Sequence, residues 1–182
     1  MKIVEQANID SIQNAAEVLK SGGILIFPTD TVYGVGCGLN VDAIEKLYKI
    51  KNRPMNQPTA VLMSAQDIPD MLKAEFAKYP AGEVTIISNR SNYNIHFPEM
   101  LLKDDKIGVR VPNDKWLQDL LKITGPIVVS SANIAGEMTP QKYTDINPEL
   151  LEQVDLIIKS DTVSVHKPST VYDLELDKII RA

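Results

Sequence analysis

The chain has 182 residues, with 19 Lys and Arg against 24 Asp and Glu and a formal net charge of −5. This length suits one domain over residues 1–182, and 44% hydrophobic with 24% charged residues excludes disordered, collagen-like and coiled-coil chains. One cysteine and two histidines exclude an internal disulfide and a thiolate zinc cage, and neither a membrane span nor a signal peptide is evident, so we expect a cytoplasmic protein.

The predicted elements alternate between helix and strand. Residues 8–21 repeat apolar side chains on one helix face and stop at Gly22, and the apolar run 24–27 predicts a buried strand. A second amphipathic helix ends at the KNRP segment, because helix is disfavoured before Pro54. Further strands are predicted where apolar runs begin, at Thr59, Val84, Ile107, Pro126, Val154, Ser169 and Lys178, with a helix around Trp116. The class is therefore α/β, with a mostly parallel or mixed sheet.

Two segments between these elements are predicted to be irregular. Residues 28–38, PTDTVYGVGCG, form a loop whose glycines either let the backbone approach a ligand closely or make a tight connection. Cys37 in this segment has no histidine or lysine nearby, so a small buried thiol is favoured over a nucleophile. Residues 88–105 are predicted to be a surface loop with some local structure.

Four arginines stand against fifteen lysines, so the arginine positions are informative. Arg110 lies inside an apolar strand, where it either recognises an anion with its planar fork or forms a structural ion pair. Lys51 and Arg53 stand at a helix end, where they either bind an anion or form a solvated turn. As helix-end cations, both are expected to be exposed and replaceable without damage to the fold.

Small polar side chains follow the strand that is predicted to begin at Pro126. Ser130, Ser131 and Asn133 lie just past its carboxyl end, where ligands bind in open α/β sheets. Hydroxyl and amide groups can hydrogen-bond phosphate or ribose oxygens, although a turn or helix cap uses the same residue types. Both interpretations stay open on these residues alone.

Six segments together resemble a known family. PTDTVYGVG, KNRP, EVTIIS, IGVRVP, GPIVVSSAN and PSTVYDL, the last followed by IIRA, occur in the order found in YrdC-type threonylcarbamoyl-AMP synthases of the short single-domain form. The resemblance implies a twisted open sheet whose concave face holds the substrates. It also implies condensation of L-threonine, bicarbonate and ATP, with Mg²⁺ on the ATP and release of pyrophosphate, for N6-threonylcarbamoyladenosine formation in tRNA. Downstream proteins would transfer the threonylcarbamoyl group to tRNA.

The resemblance also implies roles for individual residues. The catalytic and phosphate-binding pair is Lys51 and Arg53. The other nucleotide-binding residues implied are Ser131, Asn133, Thr139 and Arg181. The threonine-binding residues implied are Thr29, Thr31, Tyr33, Arg110 and Ser169. The chain departs from the family pattern at three places. One is Leu62, and another is Lys106, which stands where the family frequently has a threonine. The third lies before the STV motif (residues 169–171), where the glycine pair of the family pattern is absent.

Two other functions remain alternatives. A double-stranded RNA- or ribosome-binding factor with this fold is one, although a charge of −5 opposes strong nonspecific phosphate binding. Carbamoyl transfer, as in the related domain of hydrogenase maturation proteins, is the other. Those proteins are long chains with cysteine-rich modules, whereas this sequence has one cysteine.

Overall fold

The structure is a computed structural model that describes residues 2–160 and 167–182. Its strands are β1 (Lys2–Glu5), β2 (Leu25–Pro28), β3 (Tyr33–Gly38), β4 (Ala60–Leu62), β5 (Val84–Asn89), β6 (Lys106–Arg110), β7 (Ile127–Ser131), β8 (Leu156–Lys159), β9 (Thr170–Asp173) and β10 (Lys178–Arg181). Its helices are α1 (Ser11–Lys20), α2 (Val41–Ile50), α3 (Asp70–Phe76), α4 (Lys115–Thr124) and α5 (Pro148–Glu152). The altered segment before the STV motif falls largely on residues 161–166, outside the described residues.

The strands form one open sheet in the order β1-β8-β2-β3-β7-β4-β6-β5-β9-β10. Strand β8 pairs in parallel with β1 and β2, as do β4 with β6 and β5 with β9. The remaining pairs, including β2 with β3 and β9 with β10, are antiparallel. The α/β prediction is confirmed, and the sheet is mixed rather than mostly parallel because several neighbouring strands follow each other as hairpins.

The helices pack on both faces of the sheet, as their sequence patterns require. On one face, α1 packs against α4, and their apolar sides form a core with Phe27 and Leu156. The amide of Leu117 donates to the Asp114 side chain at 2.9 Å and caps α4. On the other face, α2 buries Ile44 and Leu47 in the larger core. No helix in the described parts of the chain is long and apolar enough to cross a membrane.

Side-chain alternation along the strands divides each strand between these two faces. In β6, Ile107 and Val109 belong to the larger core, so Gly108 and Arg110 face the opposite side, which α1 and α4 cover elsewhere in the sheet. Gly108 and Arg110 line a cavity on that side. The cavity therefore occupies the part of this face that the two helices leave uncovered.

Three local predictions were wrong or incomplete. Residues 33–38 form strand β3, not a loop, and a Cβ on Gly36 would lie 2.5 Å from the Val128 carbonyl oxygen. The glycine thus permits close strand pairing within the sheet, a reason that periodicity does not reveal. Strand β1 was not predicted. Residues 88–105 contain the expected local structure in two 3-10 turns, but Phe97 and Leu101 are fully buried in the core.

Candidate active site

The cavity has a volume of about 690 Å³ and a floor of small residues. Gly34, Ala60 and Gly108 come from three strands and present little side chain, so a ligand can lie close to the sheet. Its polar walls include three arginines, Arg53, Arg110 and Arg181. Residues that carry small hydroxyl groups also line it: Thr29, Thr31, Thr59, Thr85, Ser130, Ser131, Thr139 and Ser169. Guanidinium and hydroxyl donors around one cavity suit carboxylate and phosphate ligands.

Arg110 reaches this cavity from the middle of the sheet. Its side chain is buried, and one guanidinium nitrogen donates to the Thr31 hydroxyl at 2.6 Å. Burial and the positive charge of Arg181 lower the pKa of Arg110 to about 10, against the opposing effect of Asp30. Arg110 forms no ion pair within the described residues. A charged, mostly unpaired guanidinium facing a cavity is suited to receive an anion.

Arg53 and Lys51 leave the end of α2 in different directions. Arg53 lines the cavity, and its guanidinium donates to the carbonyls of Gln57 at 3.1 Å and Pro58 at 2.6 Å. Lys51 is 3% exposed and is absent from the cavity lining that the described residues form. The expectation that both helix-end cations are exposed is therefore wrong for Lys51, because α2 directs its side chain under the end of β7.

Lys51 instead holds the Ser131–Asn133 turn. Its ammonium donates to the carbonyl of Ser131 and, at 2.6 Å, to that of Asn133. Burial, followed by the charge of Arg53, lowers the pKa of Lys51 to about 8, with Glu137 opposing. The structure joins Lys51, Ser131 and Asn133, which the sequence offered as nucleotide-binding candidates, through backbone carbonyls.

The Ser131–Asn133 turn presents one hydroxyl to the cavity. The Ser131 hydroxyl lines the cavity and donates to the Asn133 side-chain oxygen at 2.5 Å. The side-chain amide nitrogen of Asn133 donates to the backbone carbonyl of Glu137 at 2.9 Å, and this bond stabilises the loop that follows the turn. Asn133 is not among the described cavity-lining residues, whereas Thr139, at the end of that loop, is.

The residues implied to surround threonine divide between the two faces of the sheet. Thr29 and Thr31 line the cavity, with their hydroxyl oxygens 3.2 Å apart. Tyr33 lies in the larger core on the opposite face, where the Ser160 amide donates to its hydroxyl at 2.9 Å. Alternation along β3 explains this difference, because Gly34 next to Tyr33 faces the cavity. A threonine contact by Tyr33 stays a prediction.

Ser169, just before β9, and Arg181, in β10, close one side of the cavity. The hydroxyls of Ser169 and Thr85 lie 2.8 Å apart, and both residues are buried. Arg181 donates to the Ser169 carbonyl at 2.8 Å and thereby crosses the hairpin. Residues 12 positions apart in sequence thus act as one wall of the cavity.

Several cavity residues were not identified from the sequence. Thr59 is buried beside Arg53, and its hydroxyl has no hydrogen-bond partner among the described residues. Lys106 and Asp173 also line the cavity and form an ion pair, with the ammonium 3.0 Å from a carboxylate oxygen. Only Lys106 gave a signal in the sequence, as a departure from the family pattern. No group of three or more potential metal ligands occurs within residues 2–160 and 167–182.

Comparison with known proteins agrees with this architecture. The family model Sua5/YciO/YrdC, described as telomere recombination, matches residues 17–182. The chain belongs to this family. A Methanocaldococcus jannaschii relative is 31% identical over 97% of this chain and 88% of its own length, and it provisionally carries the name threonylcarbamoyl-AMP synthase. A Pseudomonas aeruginosa relative with that name is 27% identical over 93% of this chain and 95% of its own length.

Solved structures place this family member among close neighbours in fold. E. coli YciO superposes with a TM-score of 0.80 at 27% identity, over 99% of this chain and 92% of that protein. P. abyssi Sua5 complexed with L-threonine superposes with a TM-score of 0.82 at 23% identity. The match covers 96% of this chain but only 54% of that Sua5 chain, so this family member spans about half of it. The predicted YrdC-like fold is confirmed.

Proposed function

We propose that this chain is an L-threonylcarbamoyladenylate synthase, which condenses L-threonine, bicarbonate and ATP and releases pyrophosphate for N6-threonylcarbamoyladenosine formation in tRNA. The observation that supports it most is the set of three arginines around one hydroxyl-lined cavity in a member of this family. The relatives named threonylcarbamoyl-AMP synthase add support for the reaction. The P. abyssi Sua5 complex adds support for threonine as a ligand class.

The proposed reaction needs positioning and charge neutralisation more than a nucleophile in the protein. The threonine amine and bicarbonate form a carbamate with loss of water. A carbamate oxygen then attacks the α-phosphorus of ATP, the bond to the β-phosphate oxygen breaks, and pyrophosphate leaves with its electrons. Guanidinium groups stabilise the developing charge. Cys37 takes no part, since it is fully buried and burial raises its pKa to about 12.

The cavity suggests where the two substrates lie. We assign the threonine carboxylate to the Arg110 guanidinium, beside the Thr31 hydroxyl that it already binds. The phosphates belong with Arg53, Arg181 and the Ser131 hydroxyl, which line the same cavity. Lys51 and Asn133 support the phosphate end from behind, because both bond to the Ser131–Asn133 turn.

Magnesium enters this proposal as part of the MgATP substrate. Asp104 and Asp173 are carboxylates in the cavity wall, and Asp173 is already paired with Lys106. These two side chains do not make a protein cage for a divalent cation. Phosphate oxygens and water would therefore supply most of the magnesium ligands.

We expect pyrophosphate, and not orthophosphate, as the inorganic product. Its release should require L-threonine and bicarbonate together, because the carbamate is the attacking group. The measurement is a pyrophosphate assay with each component omitted in turn, and thin-layer separation of AMP- and ADP-containing products. Hydrolysis of ATP to ADP without threonine would contradict the synthase proposal and leave a nucleotide-binding protein.

RNA binding by the isolated chain should be weak and strongly salt-dependent. The net charge of −5 repels the phosphate backbone, so any contact depends on local cations that salt screens. A titration against tRNA and against duplex RNA near physiological salt measures this directly. Tight binding that resists salt would favour the RNA- or ribosome-binding alternative.

A further inference from the structure

An ion pair between Lys106 and Asp173 lines the cavity. The Lys106 ammonium lies 3.0 and 3.1 Å from the two carboxylate oxygens of Asp173. The side chains are 18% and 9% exposed, so both charges are largely removed from water. Desolvation of such a pair costs free energy, and packing alone does not require it.

Asp173 is fully occupied by bonds within the protein. Besides Lys106, it accepts the backbone amides of Glu175 at 3.0 Å and Leu176 at 3.1 Å. Burial alone would raise the pKa of Asp173, but the hydrogen bonds from Lys106 and these amides bring it below its ordinary value. The carboxylate therefore fixes the turn that joins β9 to β10 and ties that turn to β6.

Strand β10 depends on this turn for its position. It pairs with β9 alone, at the edge of the sheet, and all four of its residues are exposed. Its pairing with β9 is also irregular between Ile179 and Arg181. Besides its pairing with β9, the strand is held by the Arg181 bonds to Ser169, and the Tyr172 hydroxyl donates to Asp177 in the preceding turn at 2.5 Å. The turn and the pairing with β9 therefore fix where Arg181 lies.

We propose that the Lys106–Asp173 ion pair is a positioning device that holds the β9–β10 hairpin so that Arg181 faces the cavity. The Lys106 ammonium lies within hydrogen-bond distance of both Asp173 carboxylate oxygens. The pair is electrically neutral and offers little attraction to an anion, so its effect on the substrate passes through Arg181. This inference rests on the proposed function for the identity of the ligand, ATP.

Lys106→Met tests the structural half of the proposal without any need for activity. Hydrogen exchange of the amides in residues 174–182 should accelerate about tenfold, because local opening of the hairpin becomes easier. Lys106→Arg should restore slow exchange by replacing the lost charge. Lys46→Met is the matched control, since Lys46 pairs with Asp155 at 3.2 Å and Asp155 also accepts a backbone amide, that of Ile24. Unchanged exchange in Lys106→Met would overturn the proposal.

A double-mutant cycle with Arg181→Ala tests the link to the ligand. We expect Lys106→Met to weaken ATP binding about tenfold in the native background and less than about twofold when Arg181 is alanine. Additive losses would instead mean that Lys106 contacts ATP directly, and they would overturn the proposal. If Lys106→Met is too unstable, Lys106→Met with Asp173→Asn removes both charges and leaves no unpaired carboxylate. A wild-type chain that binds no ATP would refute the proposed function, while the exchange result would still decide the role of the ion pair.

Discussion

We expect Arg110→Lys to raise the KM for threonine by roughly ten- to a hundredfold, corresponding to about 1.5–3 kcal/mol for a charge-assisted contact. Lysine keeps the positive charge but loses the planar fork that can bind a carboxylate through two parallel hydrogen bonds. The bond to Thr31 occupies one guanidinium nitrogen, so the rest of the fork can face the ligand. The KM for ATP should change much less.

Steady-state kinetics with each substrate varied in turn, together with a melting curve, measure this effect. Arg90→Lys is the matched control, because Arg90 pairs at the surface with Glu99 and with Asp105, the latter at 2.7 Å. A structural role for Arg110 predicts a lower melting temperature and equal changes in both KM values. An unchanged threonine KM would remove Arg110 from the substrate site.

Loss of the Lys51 charge should abolish most turnover. Lys51→Met leaves the carbonyls of Ser131 and Asn133 without their buried donor, at a cost of about 1–3 kcal/mol for each unsatisfied group. The turn should then lose its fixed geometry, and we expect kcat/KM to fall by at least about a hundredfold. Lys49→Met, two residues earlier on the exposed side of α2, is the control that should retain activity.

The pKa of Lys51 adds a pH signature to this prediction. With a pKa of about 8, Lys51 loses its proton as the pH rises, so wild-type kcat/KM should fall above about pH 8. Lys51→Arg should move that fall to higher pH, since a guanidinium stays charged. A pH profile that is the same for the wild type and Lys51→Arg would contradict this assignment.

The free energy of unfolding should rise with pH in the range where kcat/KM falls. The pKa of Lys51 is lowered from 10.5 to about 8 in the folded chain, so between these values the unfolded chain binds more protons. The free energy of unfolding should therefore rise with pH across this window, by roughly 3 kcal/mol from Lys51. Chemical denaturation at several pH values measures it. The difference between wild type and Lys51→Met isolates this group from the other lysines and tyrosines.

The local periodicity of apolar residues was sufficient to predict most of the secondary structure. The apolar faces of α1, α2 and α4 are visible in the sequence because a helix repeats its exposure every 3.6 residues. Short apolar runs likewise located β2 and β4 to β10 approximately. Strand β3 was missed because its alternating glycines resemble a flexible connection, whereas close approach to Val128 is what requires Gly36.

The order of six motifs determined the family and the residues to consider, and the tertiary structure decided how those residues are arranged. Lys51 and Ser131 are 80 positions apart, and only the packing of α2 beneath β7 shows that they bond through a backbone carbonyl. Tyr33 and Gly34 are neighbours in sequence, but the strand sends them to opposite faces. Which face remains open depends on where α1 and α4 pack. Long-range contacts of this kind, including Lys106 with Asp173, have no local signal because they depend on strand order.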